Sequence, residues 1–83
     1  MISTGQIRAA RALLRWTAQD LANASGVGVA TIRRMEVTDG VPAAQTRSLL
    51  AIQSSLEVAG IEFIGKPNEN PGVSLKTKSS TTD

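Results

Sequence analysis

Residues 8–36 read RAARALLRWTAQDLANASGVGVATIRRME, and two breaks in apolar phase divide this stretch into three short helices. The first reaches back to residue 4, as TGQIRAARALLR over residues 4–15. There Ile7, Ala10 and Leu14 recur at three- and four-residue spacing while Arg8, Arg11 and Arg15 form a second stripe. This is an amphipathic helix with a basic side. Ser3 or Thr4 can accept the free amides of its first turn. The pattern restarts at Trp16: Thr17 can cap a new first turn with Asp20 three residues on, a shortened capping box, and Trp16 and Leu21 stand at hydrophobic-staple spacing. Gly26 can take the positive φ that ends this second helix near Ser25, and Gly26-Val27-Gly28 makes a sharp turn. A third helix, about Val29 to Val37, carries Ile32 inward with Met35 or Glu36 at the next inward turn.

Further along, Thr38-Asp39-Gly40 is loop material, and Pro42 suits the first turn of a fourth helix because it has no amide hydrogen to leave unpaired. That helix is expected from about Ala43 to Ala59, with Leu49, Ile52, Leu56 and Ala59 on one face and Gly60 as its stop. The period then becomes alternating. Ile61-Glu62-Phe63-Ile64 reads as a short strand, residues 65–72 as a turn-rich loop, and Val73-Ser74-Leu75-Lys76 as a return strand. An isolated hairpin is rarely stable in water, so this one must lie on the helices or pair with a second copy. Residues 77–83, TKSSTTD, are polar enough to stay disordered. The expected organisation is a helical domain over residues 1–60, a β segment over 61–76 and a tail over 77–83. The expected fold class is mainly α.

Composition narrows the function. With 83 residues the chain has room for one domain, and with no cysteine, histidine or tyrosine it offers no disulfide, no zinc site and no histidine base or thiolate nucleophile. Thr17, Ser25 and Ser48 carry hydroxyls, but no general base can be nominated for any of them, so an enzyme is not expected. No metal or cofactor is expected either. The net charge is +2, unevenly placed: residues 1–47 hold six arginines against Asp20, Glu36 and Asp39, whereas residues 48–83 hold three lysines against four carboxylates. A cationic front half points to an anionic partner. No apolar run approaches the ~20 residues of a membrane span and no basic-then-apolar leader opens the chain, so a cytoplasmic protein with no membrane partner is expected. A chain this small buries only about 60% of its unfolded surface, which favours dimerisation.

Two short helices around a glycine turn, the second apolar on one side and cationic on the other, have the layout of a helix-turn-helix. Gln19, the Leu21-Ala22 pair, Gly26-Val27, Ile32 and Glu36 each have a steric reason. Ala22 must be small where the helices approach, Gly26 permits the turn, and Val27 and Ile32 anchor the second helix. From Gln6 to about Leu56 the chain resembles the XRE family, the Cro and phage-repressor type of helix-turn-helix, and the trailing AGIEFIG and PGVSL resemble small stand-alone regulators of that family. The resemblance refines the expected fold to a compact four-helix domain of the phage-repressor type with a short C-terminal strand or hairpin.

The resemblance implies a third helix lying in the DNA major groove. By position, Val29, Ala30, Thr31 and Arg34 would contact bases, Arg34 foremost because its planar fork can satisfy two acceptors of guanine. Arg33, Arg8 and Arg15 would lie near the backbone, and the start of the second helix, with Thr17, Ala18 and Gln19, would face a phosphate. Arg11 and Glu36 would form an internal ion pair. Arg8 and Arg15 serve equally well as solvated charges, and Trp16 reads as a core residue rather than a stacking platform. Gly28 departs from the family, standing where a Ser or Thr usually caps the recognition helix, and Val29 and Ala30 replace polar readers.

The expected function is a homodimeric transcriptional regulator, by default a repressor, on an inverted-repeat operator in double-stranded DNA. RNA polymerase would be a further partner if it activates. Ile61, Phe63 and Ile64 are the expected dimer surface, as an otherwise exposed strand edge, with the fourth helix as an additional candidate. The apolar Val29 and Ala30 motivate an alternative, a protein-interaction module such as an antitoxin or antiactivator.

Overall fold

The computed structural model describes residues 2–37 and 45–76. Four helices, α1 (Thr4–Leu14), α2 (Ala18–Ser25), α3 (Val29–Glu36) and α4 (Thr46–Val58), precede an antiparallel pair of strands, β1 (Ile61–Lys66) and β2 (Glu69–Leu75). The molecule is mostly helical, a small four-helix domain with a two-stranded hairpin. No helix among the described residues is long and apolar enough to cross a membrane. The Pro42 helix start and the polar tail lie outside the described residues.

Local chemistry sets the helix ends. Ser3 caps α1 in a full capping box, its Oγ accepting from Gln6 N at 3.1 Å while Gln6 Oε1 accepts from Ser3 N at 2.8 Å. Thr17 and Asp20 close the same reciprocal pair on α2, at 3.0 and 2.8 Å, so the shorter aspartate spans the box. Gly26 ends α2 at φ 77°, as its lack of a Cβ permits. Gly28, at the N-cap of α3, supplies no side-chain bond. Among the described residues α4 starts at Thr46 with Gln45 as its N-cap.

The apolar stripes converge on one core of Ile2, Ile7, Ala10, Leu21, Ala22, Ile32, Met35, Leu49, Ile52, Leu56 and Ile61. Each Ile or Leu buried there contributes about 1.5–3 kcal/mol by leaving water. Of the two residues offered for the second inward turn of α3, Met35 enters the core and Glu36 is half-buried beside it. Trp16 and Val27 pack against the core from its rim.

The hairpin is longer than its sequence indicates. Ile61 pairs with Leu75, Phe63 with Val73 and Ile64 with Gly72, after which a bulge leads to a Lys66–Glu69 pair and a turn at Pro67-Asn68. The segment read as a loop, residues 65–72, is therefore mostly strand. Gly65 at φ 75° and Asn70 at φ 52° absorb the extra residue, and polar and proline residues on the exposed tip hide the pairing from any apolar alternation. Gln6 clamps the hairpin to α1, its Nε2 donating to Ile64 O at 3.0 Å and Gly72 O at 2.9 Å.

The strand's alternation also corrects the expected dimer edge. Ile61 is only 3% exposed and belongs to the protomer's own core, Phe63 is half-buried against it, and Ile64 points the other way, 49% exposed. The three do not form one exposed apolar surface, because period-two side chains leave a strand on opposite faces.

Candidate nucleic-acid interface

α3 is an eight-residue rod with a buried side and an open side. Ile32 and Met35 lie in the core, while Ala30, Arg33 and Arg34 are exposed and Thr31 is half-buried. Among the described residues neither Arg33 nor Arg34 has an acidic partner within ion-pair distance. Both guanidinium groups stand in the last turn of α3, where the helix dipole favours positive charge. Val29 divides its surface between the core and solvent.

α1 holds the C-terminal end of this rod at three points. Thr4 Oγ1 donates to Met35 O at 3.3 Å, Arg8 Nη1 donates to Glu36 O at 2.8 Å, and Arg11 makes a two-pronged contact with the Glu36 carboxylate, at 2.8 Å from Nε and 2.6 Å from Nη2. Thr4, Arg8 and Arg11 recur at four- and three-residue spacing and so share one stripe of α1. The last carbonyls of a helix have no partner within it. Here a hydroxyl and a guanidinium from another helix provide two. Arg11 also donates to Trp16 O at 2.9 Å, tying the end of α1 to the same cluster. Its hydrogen bonds to Glu36 push the Arg11 guanidinium above its ordinary range, with partial burial opposing and the Glu36 charge reinforcing the shift.

The fold thus brings Arg11 and Glu36 together as an ion pair. Arg8 is exposed and bonds the end of α3, which occupies one edge of the guanidinium expected near a phosphate. Arg15 is exposed and occupies the left-handed C-cap of α1, at φ 59°.

At the start of α2, Thr17 is exposed but its hydroxyl is engaged as the cap. Ala18 is half-buried against the core, and Gln19 is exposed with its Nε2 donating to Asn23 Oδ1 at 3.0 Å. The carboxylate of Asp20 sits in the same turn and partly neutralises the positive end that would attract a phosphate. The amides of this turn are accordingly weaker anion donors than the side chains of Arg33 and Arg34.

Two contributions were not assigned from the sequence. Gln6 serves both the α1 cap and the hairpin, and Arg47 is exposed in the first turn of α4. The stripe of Arg8 and Arg11 was visible in the sequence, but the Glu36 carbonyl and carboxylate that these two reach lie 28 and 25 residues away. Comparison with protein-family models, with curated proteins and with solved structures returns no match.

Proposed function

We propose that this chain is a sequence-specific DNA-binding transcriptional regulator of the helix-turn-helix type, with α2 and α3 as the paired helices and α3 entering the major groove. The observation that carries the reading is the open face of α3: Ala30, Arg33 and Arg34 project from a rod whose opposite side is buried and whose end is held by α1. A rigid mount serves base readout because a guanidinium reads two guanine acceptors only when its backbone is fixed. Arg34 is assigned to a base edge and Arg33 to the backbone or a flanking base. Ala30 would pack on a thymine methyl and Thr31 would supply the shorter polar contact. Arg15 is a candidate phosphate contact; Arg8 has a structural role that competes with one.

One eight-residue helix makes too few contacts for an affinity of about 10⁻⁸ M, so the regulator would act as a homodimer on half-sites one helical turn apart. Repression by occlusion of the polymerase site is the default mechanism in the cytoplasm.

Selection of binding sequences from a randomised duplex pool, followed by binding titrations across a salt series, tests this proposal. The expected result is an inverted-repeat consensus and an affinity that falls steeply as salt rises, because arginines displace counterions from phosphates. No duplex binding at low salt, or binding without sequence preference, would refute it. A second reading, a module that grips a protein, draws on Val37, 81% exposed just beyond α3, which with Ala30 adds apolar surface to that side. Failure to bind DNA would favour it.

A further inference from the structure

The outward side of α4 has an arrangement that the proposed DNA contacts leave unused. Leu49, Ile52 and Leu56 face the core, and Leu50, Ala51, Ser54 and Val58 lie on the opposite side at helical spacing. Leu50 is 59% exposed and Val58 87%, at the two ends of the stripe, with the small Ala51 and Ser54 between them. Beside it runs an open groove of about 540 Å³ between α2 and α4, lined by Trp16, Ala24, Ser25, Ala51, Ser55 and Ala59 among others. The charges that frame the stripe are reversed relative to the helix's own dipole. Arg47 stands in the first turn, where an anion is favoured, and Glu57 in the last, where a cation is favoured. Neither has an ion-pair partner among the described residues.

We infer that this face binds a second copy of the chain, α4 against α4 in antiparallel orientation about a two-fold axis near Ser54. In that arrangement Leu50 of each copy faces Val58 of the other, and the small residues in the middle let the helices approach to about 8 Å. In this register the first turn of one helix lies just past the C-terminal end of its neighbour. Arg47 then meets the negative end of the neighbouring helix and comes within side-chain reach of its Glu57, so charges unfavourable to their own helix become complementary across the axis. The inference moves the dimer surface from the strand edge, whose Ile61 is already consumed by the core, to α4. It rests on the regulator reading only for the need of a dimer.

Sedimentation equilibrium of the full chain, up to about 0.5 mM because an interface at the small end of the range associates weakly, tests this. The emission of Trp16, the sole tryptophan, gives a second readout from the rim of the groove. The wild-type chain is expected to dimerise reversibly, with Trp16 emission shifting to the blue as it does. Val58→Lys should leave a monomer with unchanged helicity and melting temperature, since a cation in the last turn suits α4 itself. R47E alone should weaken association at least tenfold by placing two carboxylates together, and R47E/E57R should restore it. Because both reversals match the helix's own dipole, weakening by R47E cannot come from an unfolded α4.

A wild-type chain that stays monomeric at all concentrations, whether or not it captures some other protein, overturns the inference; so does a Val58→Lys variant that dimerises normally or a double reversal that fails to rescue. A monomer that still selects a DNA consensus leaves the regulator reading standing without this interface. A dimer that ignores duplex DNA does the opposite.

Discussion

Replacing Arg11 by methionine removes both hydrogen bonds to the Glu36 carboxylate and the one to Trp16 O while retaining most of the side chain's apolar bulk. Glu36 would be left with a side chain only 11% exposed and without its two-pronged partner, and Arg11 itself is 21% exposed, so solvent screens the pair weakly. Breaking a buried pair costs about 3–5 kcal/mol. The partial exposure of Arg11 brings the expectation below that range, to about 2–3 kcal/mol. At about 4–8 °C per kcal/mol for a domain of this size, the melting temperature should fall by about 10–20 °C. Thermal unfolding followed by far-ultraviolet circular dichroism measures this directly. The companion Glu36→Met strands Arg11 less severely, because a guanidinium can turn toward solvent, and the double variant should recover much of the loss because no charge then lies unpaired. A double-mutant cycle should return a coupling of about 1.5 kcal/mol or more. If Arg11→Met costs under about 0.5 kcal/mol, the pair is not what holds the end of α3 to α1, and the reasoning that treats α3 as rigidly mounted fails with it.

Arg34→Ala should reduce affinity for the selected operator by about 5- to 150-fold, the value of a bidentate guanine contact, and relax preference at one base pair without moving the melting temperature. Binding titrations on an operator variant series decide this, and an unchanged preference removes Arg34 from base reading. Ile32→Ala opens a cavity at a side chain with no exposure and should cost about 2–5 kcal/mol in urea unfolding. Gly65→Ala should disrupt the hairpin tip, because the residue sits at φ 75° and a Cβ there would run into the Asn70 carbonyl. Hydrogen exchange should then quicken in β1 and β2 while α2 and α3 keep their protection, and an unaltered hairpin would show that the bulge tolerates a side chain.

The capped starts of α1 and α2, the glycine stop after Ser25 and the inward stripes of α3 and α4 were all legible in the sequence. Each is settled by steps of three or four residues: Thr17 finds Asp20, Ser3 caps the first turn of α1, and Leu49, Ile52 and Leu56 follow one another on one face. The hairpin was half legible. Ile61 to Ile64 and Val73 to Leu75 alternate visibly, but the paired segment between them is built from Gly65, Pro71 and polar residues whose strand geometry comes from cross-strand bonds and the Gln6 clamp. Propensity has no means of showing such a strand, because its stability lies in a partner rather than in its own residues.

The candidate site divides in the same way. That α3 would carry Arg33 and Arg34 away from Ile32 follows from helical period alone. That Arg8 would hold the Glu36 carbonyl and that Val29 would lie partly against the core depend on which elements meet. By itself the sequence determined where the first three helices begin and which side of each turns inward, since these follow from backbone geometry over three or four residues. Only the tertiary structure decided which arginines are engaged at the end of α3: the Glu36 carbonyl and carboxylate that claim Arg8 and Arg11 arrive from 28 and 25 residues away, and nothing in local periodicity specifies that meeting.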